Sequence, residues 1–135
     1  MRAKPETSSR AARDERGSVS IELVILLPAL FAVMFLGMQA ALFYHARTVA
    51  IAAAQEGAKA ASGEDGKEAD GVSAASSFVV EAGGDDVLTG ASATANRTAT
   101  TVTVTVTGHS LSVIPGWSPE IVQTASLPVE RLTAP

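Results

Sequence analysis

Apolar and polar positions divide this chain into stretches of different period. Residues 1–17 are polar, with Pro5, Ser8, Ser9 and alternating charges, a pattern that predicts a disordered leader. From Leu23 to Tyr44 no residue carries a formal charge (LVILLPALFAVMFLGMQAALFY). A helix needs about 20 apolar residues to cross a bilayer, so this run predicts a transmembrane helix over about 23–44. It exceeds the apolar core of an ordinary secretory signal, which is roughly 7–15 residues long. Small residues near Ala40 and Ala41 keep cleavage after the span open as an alternative. Pro28 lies one turn inside and removes a backbone donor, which predicts a kink or a local loosening. Tyr44 and His45 mark the far interface, where amphipathic rings are comfortable.

Beyond the span, HARTVAIAAAQEGAKAAS is rich in alanine and predicts a helix that continues to about Ala61 and ends at Ser62-Gly63. At about 1.5 Å per residue, a helix from Ser18 to Ala61 is about 65 Å long, and about half of it exceeds the membrane. That second half either projects as a stalk or packs on the domain. Ala50, Ala53, Ala54, Ala58 and Ala61 form a smooth strip that would let another backbone come close.

Residues 63–71 (GEDGKEADG) predict a solvated turn, since the alternating oxygen ligands and terminal Glu of a calcium loop are absent. Val72, Ala75, Val79 and Ala82 then recur at helical spacing beside Phe78, which predicts a short amphipathic helix over about Glu68–Ala82, ended by Gly83-Gly84. After that the period drops to two. Val102, Val104 and Val106 alternate with Thr101, Thr103, Thr105 and Thr107, a strand with one apolar and one hydroxyl face. A weaker strand precedes it within Asp86–Asn96, with a turn at Asn96-Arg97. Gly108–Pro119 reads as a loop, and Glu120–Glu130 as a last strand that Pro128 confines to an edge or ends. The expected fold class is α+β: a single N-terminal transmembrane helix extending into a stalk, followed by a small domain with one further helix and about three antiparallel strands. The expected divisions are a cytoplasmic basic leader (1–17), the span and stalk (18–61) and a small extracytoplasmic domain (62–135).

Charge fixes the expected orientation. The net charge is -4, but residues 1–17 hold Arg2, Lys4, Arg10, Arg13 and Arg16 against Glu6, Asp14 and Glu15. The remainder holds five bases (Arg47, Lys59, Lys67, Arg97 and Arg131) and eleven acids. Basic flanks stay in the cytoplasm, so the N-terminus is expected inside and the C-terminus outside the cell (inner) membrane. The basic cluster is short, lacks aromatics and directly precedes a span, so it reads as a topology signal and not as a nucleic-acid patch. The 91 residues after Tyr44 suffice for one small domain, and with no cysteine that domain must hold by packing, tether or partners.

Catalytic constellations are missing from the sequence. His45 and His109 have no carboxylate or nucleophile at a recognisable spacing, and no serine sits in a G-x-S-x-G turn. No enzyme activity, cofactor, metal or small-molecule substrate is expected. Asn96-Arg97-Thr98 matches a glycosylation sequon, a pattern too common to weigh. Trp117, between Pro115-Gly116 and Pro119, reads as a loop residue capping the small core, with a partner-binding aromatic as the sharper alternative.

The informative constellation is Arg16-Gly17-Ser18-Val19-Ser20-Ile21-Glu22, a carboxylate at the mouth of an apolar span. A charge at the bilayer centre costs about 2.5–3.5 kcal/mol on insertion scales and less near the edge, so Glu22 either snorkels to the interface or meets a partner. Gly17 stands five residues before it, after a basic leader. This spacing resembles a type IV prepilin signal. The run RGSVSIELVILLPALF, with Pro28 six residues after Glu22, more specifically resembles TadE-like pseudopilins of tight-adherence (Flp-type) pilus systems. AAQEGAKAA, at Ala53–Ala61, is similar to the Ala-Arg-Glu-Gly-rich stretch that follows the span in that family.

The resemblance implies a minor pseudopilin-like structural component of a pilus assembly system, cut by a prepilin peptidase between Gly17 and Ser18. It implies processing residues Gly17, Ser18 and Glu22, and subunit contacts at Glu22 and Pro28, with Glu22 pairing to the new Ser18 amine of a neighbour. The implied partners are the lipid bilayer, other pilins or pseudopilins and the peptidase. The chain is larger than the very short major Flp subunit and lacks a disulfide loop, which favours an accessory role. The competing expectation is an unprocessed signal anchor whose small domain binds an envelope partner.

Overall fold

The computed structural model describes the backbone of residues 7–133 and the side chains of residues 13–133. Its elements run α1 (Thr7–Ser62), α2 (Glu68–Glu81), a single 3-10 turn (Gly84–Asp86), β1 (Leu88–Arg97), β2 (Thr101–Ser110) and β3 (Glu120–Pro128). The fold is α+β, with one long apolar helix, a second helix and a three-stranded antiparallel sheet.

Helix α1 is continuous over 56 residues, and Pro28 lies inside it without ending it. It starts earlier than the polar composition suggested. Residues 7–17, expected to be disordered, are helical; residues 1–6 fall outside the described residues. Arg10, Ala11, Ala12, Arg13, Glu15 and Arg16 are good helix formers, and extending an existing helix requires no new nucleus.

The chain divides into two compact units, one ending at Gly37 and one running from Met38 to Pro135. In the first unit every residue from 13 to 37 is exposed, including Leu23, Val24, Ile25, Leu26, Leu27, Leu30 and Phe31. These large apolar side chains cover the whole circumference of the helix, the surface of an element made for lipid.

In the second unit, the rest of α1 is a core element. Ala46, Ala50, Ala53, Ala54, Ala58 and Ala61 are fully buried together with Ala75, Val79, Leu88, Val102, Val104, Val106 and Ile121. Of the two outcomes left open for this half, packing on the domain is the one realised. The alanine strip allows the close approach anticipated from it, and glycine carries it further. A Cβ at Gly57 would stand 2.7 Å from the Gly71 carbonyl and 3.0 Å from both the Ala75 Cβ and the Val104 Cγ1. Gly57 and Gly71 therefore mark the backbone-to-backbone crossing of α1 and α2.

The sheet order is β1-β2-β3, with β2 in the centre. Val102, Val104 and Val106 point into the core, and the threonines between them form the opposite face. There Thr103 and Ser126 hydroxyls meet at 3.0 Å, and Thr105 and Thr124 hydroxyls at 3.1 Å. The second strand runs three residues further than its Thr-Val alternation suggested: Gly108, His109 and Ser110 pair with Ile121, Glu120 and Leu88 instead of forming a loop. A Cβ at Gly108 would meet the Leu88 side chain at 2.6 Å, so glycine here makes room for a core leucine and is not a turn signal. The turn at one end of β1 uses Thr98–Thr100, one step beyond Asn96-Arg97, with Thr98 N–H donating to the Thr101 carbonyl at 2.8 Å. Pro128 closes the edge strand β3 as anticipated.

Candidate processing and assembly site

All four residues singled out in the sequence lie on the first half of α1. Gly17, Ser18, Glu22 and Pro28 are exposed, and a Cβ at Gly17 would meet nothing within 4 Å. The backbone at Gly17-Ser18 is helical, whereas a peptidase subsite takes an extended chain. Glycine is about 1 kcal/mol worse than alanine inside a helix, so Gly17 is a natural place for it to open. Among the described residues nothing packs against Gly17, so opening the helix there breaks no tertiary contact described.

Ser18 and Glu22 are four residues apart, about 6 Å along the axis and nearly on one face. Glu22 is solvent-facing, and among the described residues it has no salt-bridge partner within 4.0 Å. Pro28 stands six residues beyond Glu22, about a third of a turn around the helix. One neighbouring helix therefore does not meet both squarely; Glu22 and Pro28 face different sectors. Pro28 has no N–H, so the Val24 carbonyl one turn earlier lacks its usual intrahelical donor. The structure thus brings Gly17, Ser18 and Glu22 together on one helix stretch and leaves Pro28 on the flank.

Two polar residues have roles that their sequence context does not show. Gln39 is 2% exposed and lies in the second unit. Its amide nitrogen donates to the Leu111 carbonyl at 3.2 Å, and its amide oxygen accepts from Val113 N–H at 3.0 Å. The side chain therefore ties α1 to the loop after β2, in the way one strand pairs with another. The available signal was a lone amide inside an uncharged run. Arg97 closes the far end of the same helix. Its guanidinium donates to the carbonyls of Ala61, Gly63 (2.8 Å) and Glu64 (3.1 Å), while its backbone N–H donates to a Glu68 carboxylate oxygen at 2.9 Å. The last carbonyls of a helix have no intrahelical donor, and a cation there also opposes the helix dipole. Trp117, expected to cap the core, is instead 50% exposed.

Residues 17–59 match the family model described as TadE-like protein, from the glycine before the expected cut to a point three residues short of the end of α1. Over this segment the chain is similar to TadE-like proteins. The match covers about a third of the sequence and none of α2 or the sheet. No curated protein and no solved structure matches the chain. The likeness is to a family connected with Tad/Flp pilus assembly, and it is confined to this segment of α1. That segment lies within the one helix among the described residues that is long and apolar enough to cross a bilayer, with none of its most apolar window buried.

Proposed function

We infer that this TadE-like chain is a minor pseudopilin-like component of a tight-adherence (Flp-type) pilus assembly system, cut between Gly17 and Ser18. The observation that carries it is the coincidence of the TadE-like segment, which opens at Gly17, with a fully exposed apolar helix bearing one acidic side chain, Glu22. A prepilin peptidase at the cytoplasmic face hydrolyses the Gly17–Ser18 peptide bond and leaves a carboxylate on Gly17 and an ammonium on Ser18. The new ammonium sits at the positive end of the helix dipole, an unfavourable place for a cation, so a carboxylate beside it is stabilising. Glu22 of a neighbouring subunit supplies one. Within apolar surroundings that pair sets the axial register between helices, because either charge left alone is costly. The compact unit then lies outside the cytoplasm, in keeping with the basic leader and acidic remainder.

The test is coexpression with a matching prepilin peptidase and determination of the mature N-terminus. The expected product begins at Ser18, and Gly17→Val blocks its formation. An intact Met1 end beside an active peptidase would leave only a signal-anchored membrane protein. Added protease should also digest the C-terminal domain in spheroplasts; protection of that domain would reverse the orientation.

A further inference from the structure

We propose that the loop between β2 and β3 is a second membrane contact, in which Trp117 enters the lipid interface beside the point where α1 leaves the bilayer. This rests on the reading of α1 as a membrane anchor. Gln39 immediately follows Met38, where the unbroken exposed apolar surface of α1 ends; beyond it Tyr44 is the one exposed large apolar side chain left in the helix. Its side chain fixes Leu111 and Val113 through two hydrogen bonds, so the start of the loop is held at that level of the helix. The bilayer is therefore expected to end near Met38, a few residues before the end of the uncharged run.

The loop is built to present an apolar tip. Trp117 N–H donates to the Ile114 carbonyl at 3.3 Å, and Gly116 has φ of 75°. Proline followed by a left-handed glycine is the signature of a type II turn, here Ile114-Pro115-Gly116-Trp117. The Ser112 hydroxyl accepts from Ile114 N–H at 3.2 Å and donates to its carbonyl at 2.7 Å, and Ser110 N–H reaches the Pro119 carbonyl at 3.0 Å. The loop's own polar groups are thus largely paired inward. No charged residue occurs from Ser110 to Pro119, and the indole is half exposed. At the opposite end of α1, the segment around Ser62 carries Glu64, Asp65, Lys67 and Glu68. An uncharged loop with an exposed Trp is chemistry for a headgroup boundary, where the indole ring is apolar on its faces and donates one hydrogen bond. The other end is suited to water.

Trp117 is the single tryptophan and the chain has no cysteine, so both intrinsic emission and introduced thiol labels report from known places. The full chain is reconstituted in phosphatidylcholine vesicles with brominated or ordinary acyl chains. Trp117 emission should lie at short wavelength and lose most of its intensity with the brominated lipid. A bimane label on Leu30→Cys should be quenched too, and one on Thr105→Cys should not. Quenching at Leu30 without quenching at Trp117 would overturn the loop contact and leave the anchor intact. Absence of quenching at both would remove the anchor and the loop contact together. Quenching at Thr105 as well as Trp117 would mean that the domain lies flat on lipid, which overturns a contact specific to the loop.

Discussion

The two halves of α1 share one backbone and one overall preference for apolar residues, yet they address different surroundings. From Val19 to Met38 every residue is exposed, and large apolar side chains occur on every side of the helix. From Gln39 to Ser62 the buried positions are 39, 46, 49, 50, 53, 54, 57, 58, 61 and 62, a single stripe, with Arg47, Thr48, Gln55, Glu56 and Lys59 on the exposed side. The first half offers leucine, isoleucine and phenylalanine to fluid chains that conform to any shape. The second offers alanine and glycine to a rigid partner that demands a matching one. Residue size therefore separates lipid-facing from protein-facing helix more clearly than hydrophobicity does. The dimensions agree: Gln39–Ser62 is about 35 Å of helix and the ten residues of β2 about 33 Å of strand, so helix and strand run the same length.

The largest effect is expected from the one residue that breaks the pattern of the first half. Glu22→Ala removes a charge from an apolar surface, so membrane insertion should be unharmed or slightly easier. If Glu22 pairs between subunits, the neighbour's Ser18 ammonium is left alone, and breaking such a pair costs about 3–5 kcal/mol. That weakens association by roughly two orders of magnitude or more. Cross-linking or co-purification with partner pilins, normalised to membrane level, reads this out. Normal recovery would reduce Glu22 to part of the peptidase signal at most.

In the second half the sensitive residue is Gly57. Gly57→Val forces atoms against the Gly71 carbonyl and Val104, and overpacking of this kind costs about 3 kcal/mol. Proteolysis of the domain should accelerate while the apolar segment remains in the membrane fraction. The same change at Gly37, where a Cβ meets nothing within 4 Å, should leave domain stability unaltered. Equal sensitivity at both positions would erase the contrast between the halves.

Arg97→Ala should be milder. It strips donors from the carbonyls of Ala61, Gly63 and Glu64, part of which water replaces, for a loss of about 1–2 kcal/mol in domain stability. Denaturant unfolding followed at far-ultraviolet wavelengths measures it. Smallest is Thr105→Ala on the exposed sheet face, which loses one hydroxyl contact to Thr124 and should shift stability by under about 0.5 kcal/mol.

Strong local periods made much of this fold legible. The 22-residue uncharged run, the i, i+4 pattern around Ala75 and Val79, and the Thr-Val alternation each name an element, because each repeats one face several times. What escaped depends on contacts distant in sequence. Gly108 looks like a breaker until Leu88 is packed over it, and Gln39 looks like a tolerated amide until Leu111 and Val113 are placed beside it. Arg97 gives no sign of serving a helix that ended 35 residues earlier. The proposed processing stretch is the opposite case. Gly17, Ser18 and Glu22 are so close in sequence that their spacing alone defines the proposed site, and the fold adds only that they lie on an exposed helix.

A cysteine scan in intact membranes tests whether α1 is one helix in two environments. With no native cysteine, single substitutions from Val24 to Lys59 report one position each when treated with a membrane-impermeant maleimide from the extracytoplasmic side. Positions 24–38 should all stay unreactive. Beyond them, Arg47, Thr48, Gln55, Glu56 and Lys59 should react as cysteine, while Ala50, Ala53, Ala54 and Ala58 should not, so that a helical period emerges. A helical period already present between Val24 and Met38, or uniform reactivity from Arg47 to Lys59, would contradict it.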